Sequence, residues 1–352
     1  MTRRRIILAF DSFKGSLTAT EACQAAARGI ARCCPGADIC CLPMSDGGEG
    51  MVDCIATAIG AQYVEAVVHD PLMLPVTARY AIAPDTATAY IEMAAASGLT
   101  LVPPERRDPT RTTTYGVGEL LLDAVYRGCR HVVMGIGGSA TCDAGQGMLD
   151  ALHGHLPLPV DVTVACDVSN PLYGPDGAAH VFAPQKGATP RQVDALDQRL
   201  RGFARQAERA GVSPALAHHP GAGAAGGLGY GLMAYLGARL TSGIDLVMDA
   251  VGLDQYLLGA DLVLTGEGAS DRQTLMGKVP MGILRRARRH GVPVVLLAGH
   301  ISDEAALRQA GFADVRCINQ GDDRPLDVLM QPAVASHNLE AATARPQNPP
   351  NP

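Results

Sequence analysis

"RIILAFDSFKGSLTATEACQAAARGIARCC", residues 5–34, carries the reading of the fold. After Arg5 its first residues form a short apolar run, the pattern of a parallel strand buried on both faces. Residues 18–34 follow with apolar side chains at helical spacing, opened by a Thr18/Glu21 capping box in which each side chain satisfies a free N–H at the helix start. "ADICCLP" (37–43) and "MVDCIATAIG" (51–60) repeat the strand and helix, giving a βαβα unit. The rhythm resumes near the other end, with strands at 260–266, 292–299 and 313–319 and helices at 281–291 and 303–311. Five parallel strands with crossover helices predict a doubly wound α/β sheet.

The middle of the chain differs in texture. "AQYVEAVVHDP" (61–71) and "VTARYAIAPDTATAYIEMA" (76–94) read as a hairpin or meander. They are followed by a helix at 115–128, strands at 131–136 and 160–168, and a charged amphipathic helix at 191–211. The expected organisation is a discontinuous domain, 1–65 with 255–335, around an inserted mixed α/β domain, 66–254. The proline-rich ending predicts a disordered tail over 336–352.

Composition excludes several classes of function. The 352 residues suit two domains at about 150 residues each. With 47% hydrophobic and 18% charged residues the chain reads as globular. A net charge of −6, no Trp and five Phe argue against nucleic acid as a partner. No apolar run approaches the roughly eighteen residues of a membrane span. Arg3, Arg4 and Arg5 precede only a short apolar stretch without a cleavage region, so a cytoplasmic location is expected. Ten cysteines include the adjacent pairs Cys33/Cys34 and Cys40/Cys41, a spacing unlike zinc knuckles, and predict reduced thiols.

The 40 glycines cluster, several of them in loops that follow strands. These loops are "DSFKGS" (11–16), "SDGGEG" (45–50), "GIGGSATCDAG" (135–145), "CDVSNP" (166–171) and "TGEGASDRQT" (265–274). Open α/β sheets bind ligands outside the carboxyl ends of their strands, where glycine-rich turns and helix starts offer N–H groups to anions. In "SDGGEG", Asp46 and Glu49 have capping-box spacing. Gly47 and Gly48 would then sit in a first helical turn, at about 1 kcal/mol each, which implies a need for bare backbone.

"PGAGAAGGLGYG" (220–231) holds a formal G-x-G-x-x-G at Gly221, Gly223 and Gly226. The preceding "SPALAHH" makes a poor first strand, so a dinucleotide reading is set aside. Gly277-Lys278 is followed by Val279, which rules out a Walker A loop. A kinase needs a phosphate cradle, a cation, acids for a metal and a group to position a hydroxyl. Lys14, Lys186 and Lys278 each adjoin glycine, and Asp46, Asp167, Glu267 and Asp271 each stand at an expected strand end. Taken singly, Asp11 and Asp46 are equally suited to capping helices, and Lys186 to being a solvated loop charge.

At these residues the chain resembles the bacterial glycerate kinase family of the glycerate 2-kinase type. The likeness runs through "AFDSFKGSLTA", "PMSDGGEG", "EMAAASGL", "GIGGSATCDAGQGML", "ACDVSNPLYGPDGAAHVFAPQKGA", "PGAGAAGGLGYG" and "TGEGASDRQTLMGKVP", over about residues 5–335. The resemblance implies phosphoryl transfer from ATP with Mg2+ to a hydroxyl of D-glycerate, giving 2-phosphoglycerate. It also implies two unlike α/β domains, one flavodoxin-like and built from both chain ends. Three departures stand out: a short "HGHLPLP" after "GMLDAL" where the family has a longer segment, Ala269 in place of a usual Arg, and Cys142 in place of a usual Asn.

Chemistry then assigns the roles. Lys14 contacts a carboxylate or phosphate, and Asp46 positions or deprotonates the attacking hydroxyl. Asp167, Glu267 and Asp271 serve the metal and phosphates, with Mg2+ on Asp167 and Glu267. Gly47, Gly48, Gly137, Gly138, Gly221 and Gly223 offer backbone donors, and Asp11, Ser12, Ser16, Ser45, Glu49, Ser139, Lys186 and Lys278 complete the binding set. The competing expectations are a kinase of another small hydroxy acid, a 3-phosphoglycerate-forming glycerate kinase, and a catalytically impaired ligand-binding descendant. The partner is a small molecule, and the chain is expected as a monomer or homodimer.

Overall fold

The computed structural model describes residues 3–83 and 86–345. Among them the strands are β1 (Arg5–Phe10), β2 (Asp38–Cys41), β3 (Gln62–His69), β4 (Pro75–Ala83), β5 (Thr88–Glu92), β6 (His131–Gly135), β7 (Asp161–Ala165), β8 (Arg239–Thr241), β9 (Leu262–Ser270), β10 (Val294–Ile301) and β11 (Asp314–Cys317). They form a five-stranded sheet, β11-β10-β9-β1-β2, and a six-stranded one, β3-β4-β5-β6-β7-β8. The chain divides into one compact unit of Met1–Asp46, Asp53–Ile59 and Ile244–Pro352 and a second of Gly47–Val52 and Gly60–Gly243.

The first unit's sheet is parallel throughout. Its order is the flavodoxin-like one, with the direction of winding reversing between β1 and β9. The Thr18/Glu21 capping box forms as expected and opens the helix Ala19–Cys33. Ile6, Leu8, Phe10, Leu264 and Leu297 from the strands meet Ala22, Ala26 and Ile30 from that helix in one apolar core.

Three expectations fail here. The helix Gly243–Ala250, expected in the inserted domain, lies in the first unit from Ile244 onward, as does the helix Leu253–Leu257, which the expected boundary at 254/255 would split. Arg286 Nη1 bonds Asp249 and Asp254 at 2.8 and 2.6 Å and holds them there. The tail expected from 336 is helical as far as Thr343, within the helix Pro332–Thr343. Ala335, Leu339 and Ala342 make an apolar stripe that joins the same core. Gly29 permits this crossing, because a Cβ there would fall 2.3 Å from the Glu340 carbonyl oxygen. Residues 346–352 lie outside the described residues. Finally, β9 continues to Ser270, so Glu267 stands on a strand and not in the loop expected after 266.

In the second unit β3, β4 and β5 are antiparallel and β5 to β8 parallel. The short connection after Leu152 removes no strand between its neighbours, since β6 pairs directly with β7 from His131↔Asp161 to Gly135↔Ala165. From Ala224 onward the glycine-rich segment 220–231 belongs to the helix Ala224–Leu236, interrupted by left-handed residues at Ala225, Gly226 and Gly227. Close packing explains the glycines: a Cβ on Gly226 would lie 2.0 Å from the Thr141 carbonyl oxygen.

Candidate active site

In the first unit the carboxyl ends of β1 and β9 flank the point where the winding reverses, the usual place for a ligand in an open α/β sheet. The Asp11 N–H bonds the Gly266 carbonyl at 2.9 Å and ties the two ends together. Asp11 is buried, and burial, with the charges of Asp46 and then Glu267 adding to it, pushes its carboxyl up to about 7. Lys14, exposed on the same loop, acts weakly in the other direction. The backbone N–H of Ser12 bonds Asp11 Oδ1 at 2.7 Å.

Glu267 is buried and oriented from both sides. Its Oε1 accepts from Thr274 Oγ1 at 2.6 Å and Ser270 Oγ at 3.1 Å, and its Oε2 lies 3.6 Å from Lys278 Nζ. Lys278 is the N-cap of the helix Val279–Arg289, so its charge stands beside the positive end of a helix dipole. Asp271 has a different occupation: its Oδ1 accepts from the N–H groups of Gln273 and Thr274 and shapes the turn. Ser16 Oγ is buried with no hydrogen-bond partner among the described residues. Asp11, Lys14, Asp46, Glu267 and Lys278 therefore form one charged group.

The 45–50 segment corrects a local inference. The helix begins at Met51, so Asp46 and Glu49 do not form the expected capping box around a first turn. Gly47 and Gly48 precede the helix. Gly47 is required on other grounds: its φ is +86°, and a Cβ would lie 2.6 Å from Ala165 Cβ and 2.8 Å from Gly243 Cα. Packing in the second unit accounts for this glycine without an anion. Ser45 is buried.

The second unit gathers a different set. Lys186, expected as a candidate solvated charge, is 2% exposed. Its Nζ donates to Ser139 Oγ at 2.6 Å and to the Thr141 carbonyl at 2.7 Å. Desolvation pushes its ammonium down to about 8. Thr141 Oγ1 is buried without a hydrogen-bond partner. Cys142 next to it is a thiol that burial pushes up to about 11.

Asp143, not singled out by its sequence context, organises this loop. Its Oδ2 accepts from Thr114 N and Oγ1 at 2.9 and 2.8 Å and from Gly147 N at 3.2 Å, and its Oδ1 from Gly145 N at 3.2 Å. The loop 136–145, with Gly137 and Gly138, is thus anchored by one carboxylate and one buried ammonium. The sequence signal was present in "CDAG", an acid followed by turn residues, but it names no partner.

Asp167 Oδ1 accepts from the Gly243 N–H at 3.0 Å, within the second unit. Glu267 lies in the first, so the expected Asp167–Glu267 metal pair draws on both. Among the described residues no three His, Cys, Asp or Glu side chains converge as a metal cage. Gly223 is not a free donor, because its N–H bonds the Asn170 carbonyl at 2.9 Å and a Cβ would strike the Pro171 carbonyl oxygen at 2.2 Å. Gly221 is likewise a packing glycine, with φ +90° and a Cβ position 2.7 Å from Leu240 Cδ1.

The model of the glycerate kinase family matches residues 6–158 and 154–346. The chain belongs to the glycerate kinase family. The two matched segments overlap at residues 154–158, in the short connection that precedes β7. It is 46% identical to the glycerate kinase of Bacillus subtilis (strain 168) over 88% of each chain. It is 41% identical to the glycerate 2-kinase of Escherichia coli (strain K12), over 86% of this chain and 87% of that one. A crystal structure of a Salmonella typhimurium LT2 protein assigned as glycerate kinase 2 superposes with a TM-score of 0.86 at 38% identity, covering 97% of both chains. This family member is accordingly a small-molecule kinase with a two-domain α/β fold. Among the described residues no helix is long and apolar enough to cross a membrane.

Proposed function

We propose that the protein transfers the γ-phosphoryl group of ATP to a hydroxyl of D-glycerate, giving 2-phosphoglycerate. The observation that carries the reading is the charged group at the carboxyl ends of β1 and β9, where Asp11 is held near neutrality by burial and by its acidic neighbours. Acids forced together in this way favour a bound cation. The carboxylates suit Mg2+, which commonly takes one or two protein carboxylates and completes its shell with phosphate and water. Glu267 is the ligand proposed in the first unit, and a bound Mg2+ would neutralise charge on the transferring phosphoryl group.

The chain's own groups supply the rest. Asp46 orients the acceptor hydroxyl and takes its proton, with Asp11 beside it as a carboxyl able to share that proton near pH 7. Lys278 and the start of the helix Val279–Arg289 place positive charge against phosphate oxygens, and Lys14 meets the acid's carboxylate. Lys186 fixes the loop carrying Gly137, Gly138 and Ser139.

The test is ADP release from Mg·ATP with D-glycerate, with phosphorus NMR of the product. A 2-phosphoglycerate signal supports the assignment. A 3-phosphoglycerate signal moves the attack to the other hydroxyl, and folded protein without turnover would sink the kinase reading for this chain.

A further inference from the structure

A cavity of about 490 Å3 opens in the second unit, outside the groups assigned above. Arg106, Arg107 and Arg111 line it, together with Met73 of the β3–β4 turn and Gly187, the residue after Lys186. Its position follows from the sheet. β4 runs antiparallel to β5, with Ala83 opposite Thr88, so the turn that precedes β4 lies at the carboxyl end of β5. That is the side on which parallel strands of such sheets present ligand sites.

The segment bearing the arginines is pinned. Asp108 Oδ1 accepts from Thr110 N at 3.0 Å, Thr110 Oγ1 at 2.6 Å and Gln192 Nε2 at 3.1 Å. Gln192 Oε1 in turn accepts from Thr189 N and Oγ1, closing the capping box of the helix Pro190–Arg209. Gly187 closes the wall from the other side, since a Cβ there would lie 2.3 Å from the Arg107 carbonyl oxygen.

The charge in this cavity is unbalanced. Two acids, Glu105 and Asp108, line it beside three arginines, and three hydrogen bonds already occupy one Asp108 oxygen. Among the described residues none of the three arginines closes an ion pair, and Arg107 makes one long bond, from Nε to the Val102 carbonyl at 3.4 Å. In the same unit Arg127 pairs with Asp123 at 2.8 Å and Arg201 with Asp197 at 2.7 Å. Planar guanidinium groups match phosphate oxygens bidentately. The volume lies within the ~300–1,000 Å3 of small-molecule sites, more room than a lone inorganic ion needs.

We infer that this cavity binds a small organic phosphate through Arg106, Arg107 and Arg111. The inference goes beyond the kinase reading, because a phosphate held here need not be the one transferred. Two sources share the chemistry: the polyphosphate of a nucleotide and the phosphoester of a three-carbon acid.

Titration calorimetry on the full chain, with ADP, 2-phosphoglycerate and inorganic phosphate as separate probes, distinguishes them. The variant is Arg106→Gln with Arg111→Gln, both exposed positions, with a thermal melt to confirm folding. One organic phosphate is expected to bind the wild type and to weaken by at least about tenfold per arginine removed. Arg→Lys replacements should restore only part of this, since an ammonium lacks the planar pair of donors. Loss confined to ADP identifies the nucleotide, and loss confined to 2-phosphoglycerate identifies the acid. Unchanged affinities in the variant, binding of inorganic phosphate alone, or no binding to wild type would each overturn the inference. Binding is read without turnover, so an arginine-dependent site in an inactive chain leaves this inference standing while the kinase reading falls.

Discussion

The two units place opposite charges at the ends of their strands, and burial perturbs each in the opposite sense. In the first unit Asp11 sits among Asp46 and Glu267, and burial pushes it up towards its neutral form. In the second, Lys186 is buried against Ser139 and the Thr141 carbonyl, and the same desolvation pushes it down. Both shifts favour a neutral group in a low-dielectric setting. The lesson is one of division: a set of crowded acids is suited to a cation, and a buried amine with arginines nearby in its own unit is suited to an anion.

The sharpest way to break this comparison is Asp46→Asn. If that carboxylate handles the hydroxyl proton, kcat falls by about 10²–10⁴ with little change in KM. A folded variant within about threefold of wild type would remove Asp46 from the proposed chemistry.

Lys186→Met tests the other unit. It leaves Ser139 and Thr141 without their donor, and turnover should fall by about 10- to 100-fold through loss of loop positioning. The stability signature has a definite sign. Because the folded ammonium is held near 8, below its ordinary 10.5, the unfolded chain binds more protons between those values. Wild-type stability from this group therefore rises as pH climbs from about 8 to 10.5, and the variant should lose that rise in thermal melts.

Asp11→Asn is the counterpart with the reverse sign. The folded carboxyl near 7 binds a proton that the unfolded chain releases near 3.8, so this group's contribution is full below 3.8 and declines as pH rises to about 7. The loss amounts to at most about 4 kcal/mol. Melts of Mg2+-free wild type and variant at pH 5 and pH 8 should show the asparagine form gaining relative stability at pH 8, and a variant that melts lower at pH 8 would contradict this account.

The smallest expected effect is that of Ala269→Arg. Ala269 is exposed on β9 opposite His300, so an introduced guanidinium would be partly screened. A rise in kcat/KM of no more than about threefold is expected. No change would show that a guanidinium at this position is dispensable.

Much of the scaffold could be read in advance because its signals are local. β1 and the helix Ala19–Cys33 follow from an apolar run and a capping box three residues wide, and both formed where expected. The same kind of local signal misled at Asp46/Glu49. The spacing was right, but the helix starts at Met51 and Gly47 answers to Ala165 and Gly243, more than a hundred residues away. Gly221 and Gly223 repeat the lesson, since a glycine required by close packing and a glycine required by a ligand are identical in sequence. The helix Pro332–Thr343 was obscured by the prolines that follow it, while its apolar stripe acquires meaning only against the helix Ala19–Cys33.

The sequence by itself determined the periodic elements, the parallel rhythm at both chain ends and the residue types gathered after the strands, because hydrophobic period and turn chemistry act over a few residues. Tertiary structure alone decided the directions in which Asp11 and Lys186 are shifted, the orientation of Glu267 and the gathering of three arginines on one cavity. Desolvation and Coulomb interaction depend on distance in space, and Asp11 and Glu267 meet only when strands some 250 residues apart pair side by side.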